Sequence, residues 1–310
     1  MSEILVTKRN GHKEPLNIEK LHKVVMWSCE ELTGVSASEV EIKSHLQFYT
    51  GIKSHDIQET LIKSACDLIT EETPNYQYVA GRLITYHLRK MVYGEFKPWP
   101  LTDIIKKNIE RGYYDPELLN TYSEAEWQEL DQYINHDRDE TLTYVAMEQF
   151  RGKYLVQNRV DGTVYETPQV CYMLISASLF GDYPKEERMQ WVKDYYDAIS
   201  TYQLSLPTPV MAGVRTSQRQ FSSCVLIESD DSLDSINATT SSIVKYVSQK
   251  AGIGIGAGRI RAIKSPIRSG DAYHTGVVPF YKLFQAATRS CSQGGVRNGA
   301  ATLYYPIWHL

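Results

Sequence analysis

The chain of 310 residues is short of several things, and each shortage removes a class of function. No apolar run approaches the ~18–20 residues that a membrane span needs, so no membrane partner is expected. The stretch Met1 to Gly11 has no apolar core, so no secretory leader is expected. Cysteine is sparse: Cys29, Cys66, Cys171, Cys224 and Cys291, five in all, with no C-x-x-C pair. That argues against zinc ribbons and thioredoxin-type motifs, and an odd, scattered set points to a reducing, cytoplasmic setting. No metal site is expected. A net charge of −4 with a pI near 6.1 carries no general polyanion signature, so no DNA partner is expected. Any phosphate site must be a local cluster of cations. A G-x-x-x-x-G-K-[ST] phosphate loop is also missing.

Other features are abundant. Hydrophobic residues make up 42% and charged residues 23%, the balance of a globular protein. Twenty-two tyrosines are read as partly buried helical side chains. The run Gly252-Ile253-Gly254-Ile255-Gly256-Ala257-Gly258 invites a dinucleotide-loop reading, but the glycine offsets do not fit. It also follows a helical pattern, whereas a Rossmann turn follows a strand and opens a helix. Backbone passing close to a ligand or another strand is the reading that remains.

Hydrophobic period and turn chemistry divide the chain into three parts. Residues 1–95 begin with strand-like pieces Ile4–Lys8 and Lys13–Leu16 around Asn10-Gly11, a hairpin signal. Four helices follow. Asn17 is the expected cap of the first, with apolar positions Ile18, Leu21, Val24, Val25 and Leu32. Ser36-x-x-Glu39 is read as a capping box for the second, and Ser54 as the cap of the third. Thr73-Pro74 opens the fourth, and Gly94 ends it. Phe96–Pro100 reads as a linker. Residues 96–205 are mainly helical, with a second capping box at Ser123-x-x-Glu126, a hairpin at Asp161-Gly162 and a helix start at Thr167-Pro168. From residue 206 to 310 the pattern becomes strand, helix, strand: Phe221–Glu228, Asp234–Lys250, then Gly252–Arg261. That order predicts an α/β body. The fold class is therefore α+β, mostly α.

Cations concentrate in the first part, at Lys8, Arg9, Lys13, Lys20, Lys53, Arg89 and Lys90. The basic strand Val6–Gly11 meets a helix start at Leu16–Lys20, where first-turn N–H groups and the helix dipole favour phosphate. A hairpin, four helices and this pairing resemble the ATP-cone, an allosteric adenine-nucleotide module. The resemblance implies effector contacts from Lys8, the run Glu14, Pro15, Leu16, Asn17, Ile18, Glu19 and Lys20, and from Ser54 and Lys90. Asp56 and His87 would lie nearby, and Gln58 stands where the family often has histidine.

Further motifs follow in order: Leu206-Pro207-Thr208-Pro209, Arg219–Cys224, Asp231-Ser232-Leu233, Gln249–Gly254, Arg259–Arg261 and Cys291–Gly299. With the cone, they resemble the large subunit of class I ribonucleotide reductase along the whole chain. Asn298 stands where that family usually has glycine. By resemblance, residues 206–310 begin a ten-stranded α/β barrel that this chain does not complete.

The resemblance gives Cys224 as one member of a reducing cysteine pair. Thr208, Ser223, Ala251 and Gly252 would hold a nucleoside diphosphate. Asp231, Ser232, Leu233, Arg261, Ile267 and Arg268 would form a specificity site for deoxynucleoside triphosphates; simple helix capping is the other reading of Asp231. The helix 235–250 would pair two subunits. Cys291, Gln293 and Arg297 would carry effector identity to the substrate base. The implied ligands are ATP or dATP and dNTP effectors with Mg²⁺, and the radical cofactor would sit on a separate small subunit. Implied partners are that subunit, a second large subunit, the C-terminal remainder of the large subunit, and thioredoxin or glutaredoxin. No Asn-Leu-Cys-x-Glu segment occurs, so the radical cysteine, its acid partner and the redox mate of Cys224 are expected elsewhere, and the chain alone is expected to be inactive. Two rivals stand beside this reading: a stand-alone nucleotide-binding regulator, which would not need residues 206–310, and a thiol enzyme using Cys224 and Cys291. No basic residue immediately flanks Cys224 in sequence to favour its thiolate.

Overall fold

A computed structural model describes residues 4–8, 11–291 and 299–309. At the start, β1 (Leu5–Thr7) and β2 (Lys13–Pro15) pair antiparallel, with Thr7 opposite Lys13. Gly11 turns at φ 81° and donates its N–H to the Lys8 carbonyl at 2.9 Å. Arg9 and Asn10 lie outside the described residues.

Four helices follow: α1 (Ile18–Cys29), α2 (Ala37–His45), α3 (Ser54–Cys66) and α4 (Tyr76–Tyr93). The Asn17 side chain accepts the Lys20 N–H at 2.8 Å, as its capping role requires. Leu21, Val24 and Val25 are buried, but Ile18 points to solvent, and Leu32 lies in a turn beyond the end of α1, its N–H donating to the Cys29 carbonyl at 3.2 Å. Ser36 does precede α2, yet the capping box does not form. Tyr76 intervenes: its hydroxyl donates to the Glu39 carboxylate and accepts the Ser36 N–H at 2.9 Å. Burial and then Glu39 push the Tyr76 phenol up to about 12. Ser54 is the first helical residue of α3 rather than its cap, which is Lys53. Helix α4 opens two residues after Pro74; the Thr73 and Pro74 carbonyls accept N–H groups from Tyr76 and Gln77 in a lead-in turn. Gly94 closes α4 in the left-handed region at φ 77°. Helix α4 forms the spine of the module, burying Val79, Ala80, Leu83, Ile84 and Leu88 against α1 and α3. Each such side chain contributes roughly 1.5–3 kcal/mol by leaving water.

The chain continues through α5 (Leu101–Glu110), α6 (Glu117–Thr121), α7 (Glu124–Tyr133) and a 3₁₀ turn at His136–Thr141. Next come α8 (Tyr144–Gln149), a π-turn at Phe150–Tyr154, α9 (Pro168–Phe180) and α10 (Lys185–Ser200). The Ser123 capping box is present. Glu126 takes the Ser123 N–H at 2.7 Å, and the Ser123 hydroxyl accepts the Glu126 N–H at 3.3 Å. Helix α9 starts with Pro168 at its first position and is buried along residues 168–177, as a central helix must be. The Asp161-Gly162 turn forms, but its flanks make only a single bridge between Gln157 and Val164. Asn158 and Asp161 side chains take the Val160 and Thr163 N–H groups, closing the turn locally.

The chain divides into two compact units, Met1–Ser205 and Leu206–Leu310. The second unit contains α11 (Thr208–Gly213), β3 (Cys224–Glu228), α12 (Leu233–Ser248) and β4 (Gly252–Gly256). After them come β5 (Pro266–Ile267), β6 (Ala272–Tyr273), α13 (Val278–Arg289) and β7 (Ala301–Tyr304). Strands β3, β4 and β7 form one parallel sheet in that order, with Cys224 opposite Gly252 and Ile253 opposite Ala301. Helical crossovers between parallel strands are the signature of an α/β body. Ile236, Ile243 and Val247 of α12, and Phe284 of α13, pack on Ile253 and Ile255 of β4. The glycine run is thus itself the central strand. A Cβ on Gly254 would sit 2.5 Å from Leu226 and 3.2 Å from Tyr304, side chains reaching over from both neighbouring strands. That is the close-strand reading, and it replaces any dinucleotide loop. The three strands do not close into a barrel.

Candidate functional site

The hairpin, the start of α1, and α3 and α4 enclose a cleft of about 500 Å³. Lys8, Glu14, Pro15, Leu16, Asn17, Lys20, Ser54 and Lys90 all line it. Of the expected contacts, Ile18 and Glu19 do not line it, and neither do Asp56 and His87. Gln58 lines it, together with His12 and Tyr86, which sequence reasoning did not single out. A signal for Tyr86 did exist: it lies four residues before Lys90, hence on the same face of α4. The Lys90 ammonium stands 5.9 Å from the Tyr86 ring centre. Lys8 holds Glu14 at 2.8 Å, and that bond keeps the Glu14 carboxyl below its ordinary range. Three ammonium groups against one carboxylate leave the cleft locally cationic on an acidic protein. Apolar walls from Val6, Leu21, Val24 and Ile57 suit a flat ring.

In the second unit, Asp231 accepts from Arg261 twice, from the backbone N–H at 2.9 Å and from Nε at 2.7 Å. Ser232, not Asp231, caps α12; its hydroxyl accepts the Ser235 N–H at 3.1 Å. The capping reading of Asp231 is therefore replaced by a carboxylate–guanidinium pair. Leu233 is exposed beside it. The Arg261 guanidinium also reaches the Pro266 carbonyl at 3.5 Å, next to Ile267, and Arg268 turns with φ 51°. Five of the six expected specificity residues thus join through this pair, the cap or their immediate neighbours; for Arg268 only the backbone turn places it.

Cys224 begins β3, is exposed, and lines a cavity of about 930 Å³. Thr208, Ser223, Ala251 and Gly252 are not among the residues lining it. Ser223 and Gly252 are nonetheless joined, the Gly252 N–H donating to the Ser223 carbonyl at 2.8 Å. Thr208 opens α11, and Ala251 is buried. Arg219 and Lys250 share the Cys224 cavity, so cations are near in space although none adjoins it in sequence. Lys250 donates to Gln218 at 3.2 Å across this wall. Cys291 ends the described stretch after α13; Gln293, Arg297 and Asn298 lie outside the described residues.

A cation-lined cleft on a hairpin-and-helix module, followed by helices and a thiol-bearing parallel sheet, defines a modular protein with a cleft fitted to an anionic ligand. Comparison with known proteins agrees part by part. Residues 4–91 match the ATP cone domain, 140–219 the ribonucleotide reductase all-alpha domain and 222–310 the ribonucleotide reductase barrel domain. The chain is 61% identical to ribonucleoside-diphosphate reductase 1 subunit alpha of Escherichia coli (strain K12), over 99% of this chain and 40% of that protein. It is 48% identical to the alpha subunit of Enterobacteria phage T4, over 100% of this chain and 41% of that protein. Against the Synechocystis alpha subunit the identity is 30%, over 99% of this chain and 39% of that protein. The chain belongs to the ribonucleotide reductase large-subunit family, of whose curated relatives it spans about 40% of the length. No helix among the described residues is long and apolar enough to cross a membrane.

Proposed function

We propose that this chain is the regulatory and substrate-gripping part of a cytoplasmic ribonucleoside-diphosphate reductase. The observation that carries the proposal is the unbroken likeness to reductase alpha subunits through cone, helical body and first barrel strands. A stand-alone regulator would need only the cone.

In this reading ATP or dATP, each with Mg²⁺, occupies the cone cleft. Lys8, Lys20 and Lys90 meet the phosphates, and the Glu14–Asn17 edge, Ser54 and the apolar walls hold the nucleoside. Ile18 and Glu19 would act through the first-turn N–H groups of α1. A dNTP effector sits by Asp231, Ser232 and Leu233, with Arg261, Ile267 and Arg268 closing on it. Cys291, Gln293 and Arg297 pass its identity to the substrate. Thr208, Ser223, Ala251 and Gly252 position the diphosphate substrate against Cys224. When the 2′-hydroxyl leaves as water, the Cys224 thiol and a second thiol supply two electrons and become a disulfide. Thioredoxin or glutaredoxin then reduces that disulfide. Hydrogen abstraction from the ribose belongs to a thiyl radical on the remainder of the large subunit, generated with a small radical-bearing subunit. Two large subunits pair through α12.

Reconstitution tests this. Supplied with the missing portion of the large subunit, the small subunit, ATP and a dithiol, the chain should give steady reduction of a ribonucleoside diphosphate, and alone it should give none. Turnover by the isolated chain, or none by the complete assembly, would overturn the proposal.

A further inference from the structure

Behind the effector cleft, α3 and α4 bring together side chains that the proposed reaction does not use. His55 and Glu59 stand four residues apart on one face of α3. His87 faces them from α4 and is 1% exposed. One ligand atom from each of the three lies within 4.8 Å of the others. His87 Nε2 is already 3.6 Å from Glu59 Oε1, and the two imidazole rings meet edge to face with centres 4.7 Å apart.

We propose that His55, Glu59 and His87 form a binding site for a divalent transition-metal ion, zinc being the best match, that ties α3 to α4. Two imidazoles and one carboxylate are a zinc donor set, and three protein ligands leave a position for water. Ligand atoms around zinc at about 2.0–2.2 Å lie roughly 3.3–3.6 Å apart, so the 4.8 Å spread must close by roughly 1.2–1.5 Å through side-chain rotation. His55 is half exposed and its Nδ1 makes only a long 3.4 Å contact with the exposed Asp56 carboxylate, while buried His87 supplies the fixed end.

An opposing charge among the described residues is Arg151, which holds Glu59 at 2.7 and 3.3 Å. Arg151 also binds Glu148 through two bonds, Nε at 2.9 Å and Nη2 at 2.6 Å. It therefore keeps a carboxylate partner when Glu59 turns to the metal, and the exchange leaves no orphaned charge. Mg²⁺ demands oxygen ligands in an octahedron and is a poor match. The site is thus chemically distinct from any magnesium accompanying a nucleotide in the cleft. Ser54, Ile57 and Gln58 line that cleft from the same helix, and Tyr86 and Lys90 from α4. A metal bridging the two helices would stiffen both walls.

The test uses the full chain, stripped with a chelator and titrated with zinc by calorimetry. Cobalt titration adds the visible absorption of a low-coordinate Co²⁺ centre. One equivalent should bind, millimolar magnesium should not displace it, and zinc should raise the melting temperature. His55→Ala, at an exposed position that should not disturb folding, and Glu59→Gln should each weaken binding tenfold or more, at least the scale of about 10–100-fold for loss of a supporting contact. His55→Ala should also lose the zinc-dependent rise in melting temperature. His45→Ala, on α2 away from the three ligands, is the control and should bind as the parent does. No stoichiometric zinc, displacement by magnesium, or affinity unchanged by His55→Ala would each overturn the proposal.

Discussion

Asp139 offers a direct test of the packing around α4. It lies wholly buried in the 3₁₀ turn at His136–Thr141, which packs on α4, the helix that also supplies Tyr86 and Lys90 to the cleft. Oδ1 accepts from Gln169 Nε2 at 2.9 Å, and Gln169 in turn accepts from the Tyr196 hydroxyl at 2.7 Å. Oδ2 has no hydrogen-bond partner among the described residues. Burial pushes the carboxyl from 3.8 up to about 7, against the opposing pull of the Gln169 bond and of Arg89. The sign follows from linkage. Below the unfolded-state value both states hold the proton and Asp139 costs nothing. Between there and about 7 only the folded state keeps it, so stability falls as pH rises. At about 1.4 kcal/mol per pH unit, the full loss is about 4 kcal/mol, complete above neutrality.

Asp139→Asn removes the titration while keeping the shape and the bond to Gln169. The protonated acid leaves one unmet donor at the Oδ2 position and the amide two, a difference that does not change with pH and so shifts the comparison by a constant. Urea denaturation of parent and variant should therefore differ by a pH-dependent amount. The variant's advantage should grow by about 3 kcal/mol between pH 5 and pH 8. Tryptophan fluorescence suits the measurement, because Trp27, Trp99, Trp127 and Trp191 lie in the unit that contains Asp139. A difference independent of pH would refute the reasoning, and so would a variant less stable at pH 8 than at pH 5 relative to the parent.

Other expectations concern the nucleotide sites. Lys8→Ala and Lys90→Ala should each weaken ATP or dATP binding by about 1.5–3 kcal/mol, the range of a hydrogen bond to a charged group; calorimetry showing tight binding insensitive to both would remove the cone assignment. Asp231→Ala and Arg261→Ala should be non-additive in dNTP affinity, because the pair at 2.7 Å positions both groups; additive losses would mean that the pair does not organise the site. In the reconstituted enzyme, Cys224→Ser should bind substrate and effector but stop after at most one turnover, since a hydroxyl cannot form the disulfide. Cys171→Ser, at a buried packing position on α9, should leave the turnover pattern unchanged. Steady turnover by Cys224→Ser with a dithiol reductant would reduce Cys224 to a lining residue.

What the sequence disclosed depended on how far apart the interacting groups lie. Asn17 caps α1 and Ser123 forms its box because donor and acceptor are three residues apart, within one turn. The Ser36 box has the same spelling and fails. Its glutamate is claimed by Tyr76, a residue 37 positions downstream that only the tertiary fold delivers. The same limit governs the sites. The cations of the cleft were legible because strand, turn and helix start are consecutive, and Lys90 followed from resemblance. Arg219 and Lys250 beside Cys224 were not legible. Lys250 reaches that cavity because parallel register sets Gly252 opposite Cys224, and the length of α12 fixes where that register begins. The thiol's electrostatic surroundings are thus a property of strand pairing, which no inspection of its sequence neighbours reveals. His55, Glu59 and His87 follow the same logic. Two of them carry a readable i, i+4 spacing, and the third is supplied by the packing of α4 on α3.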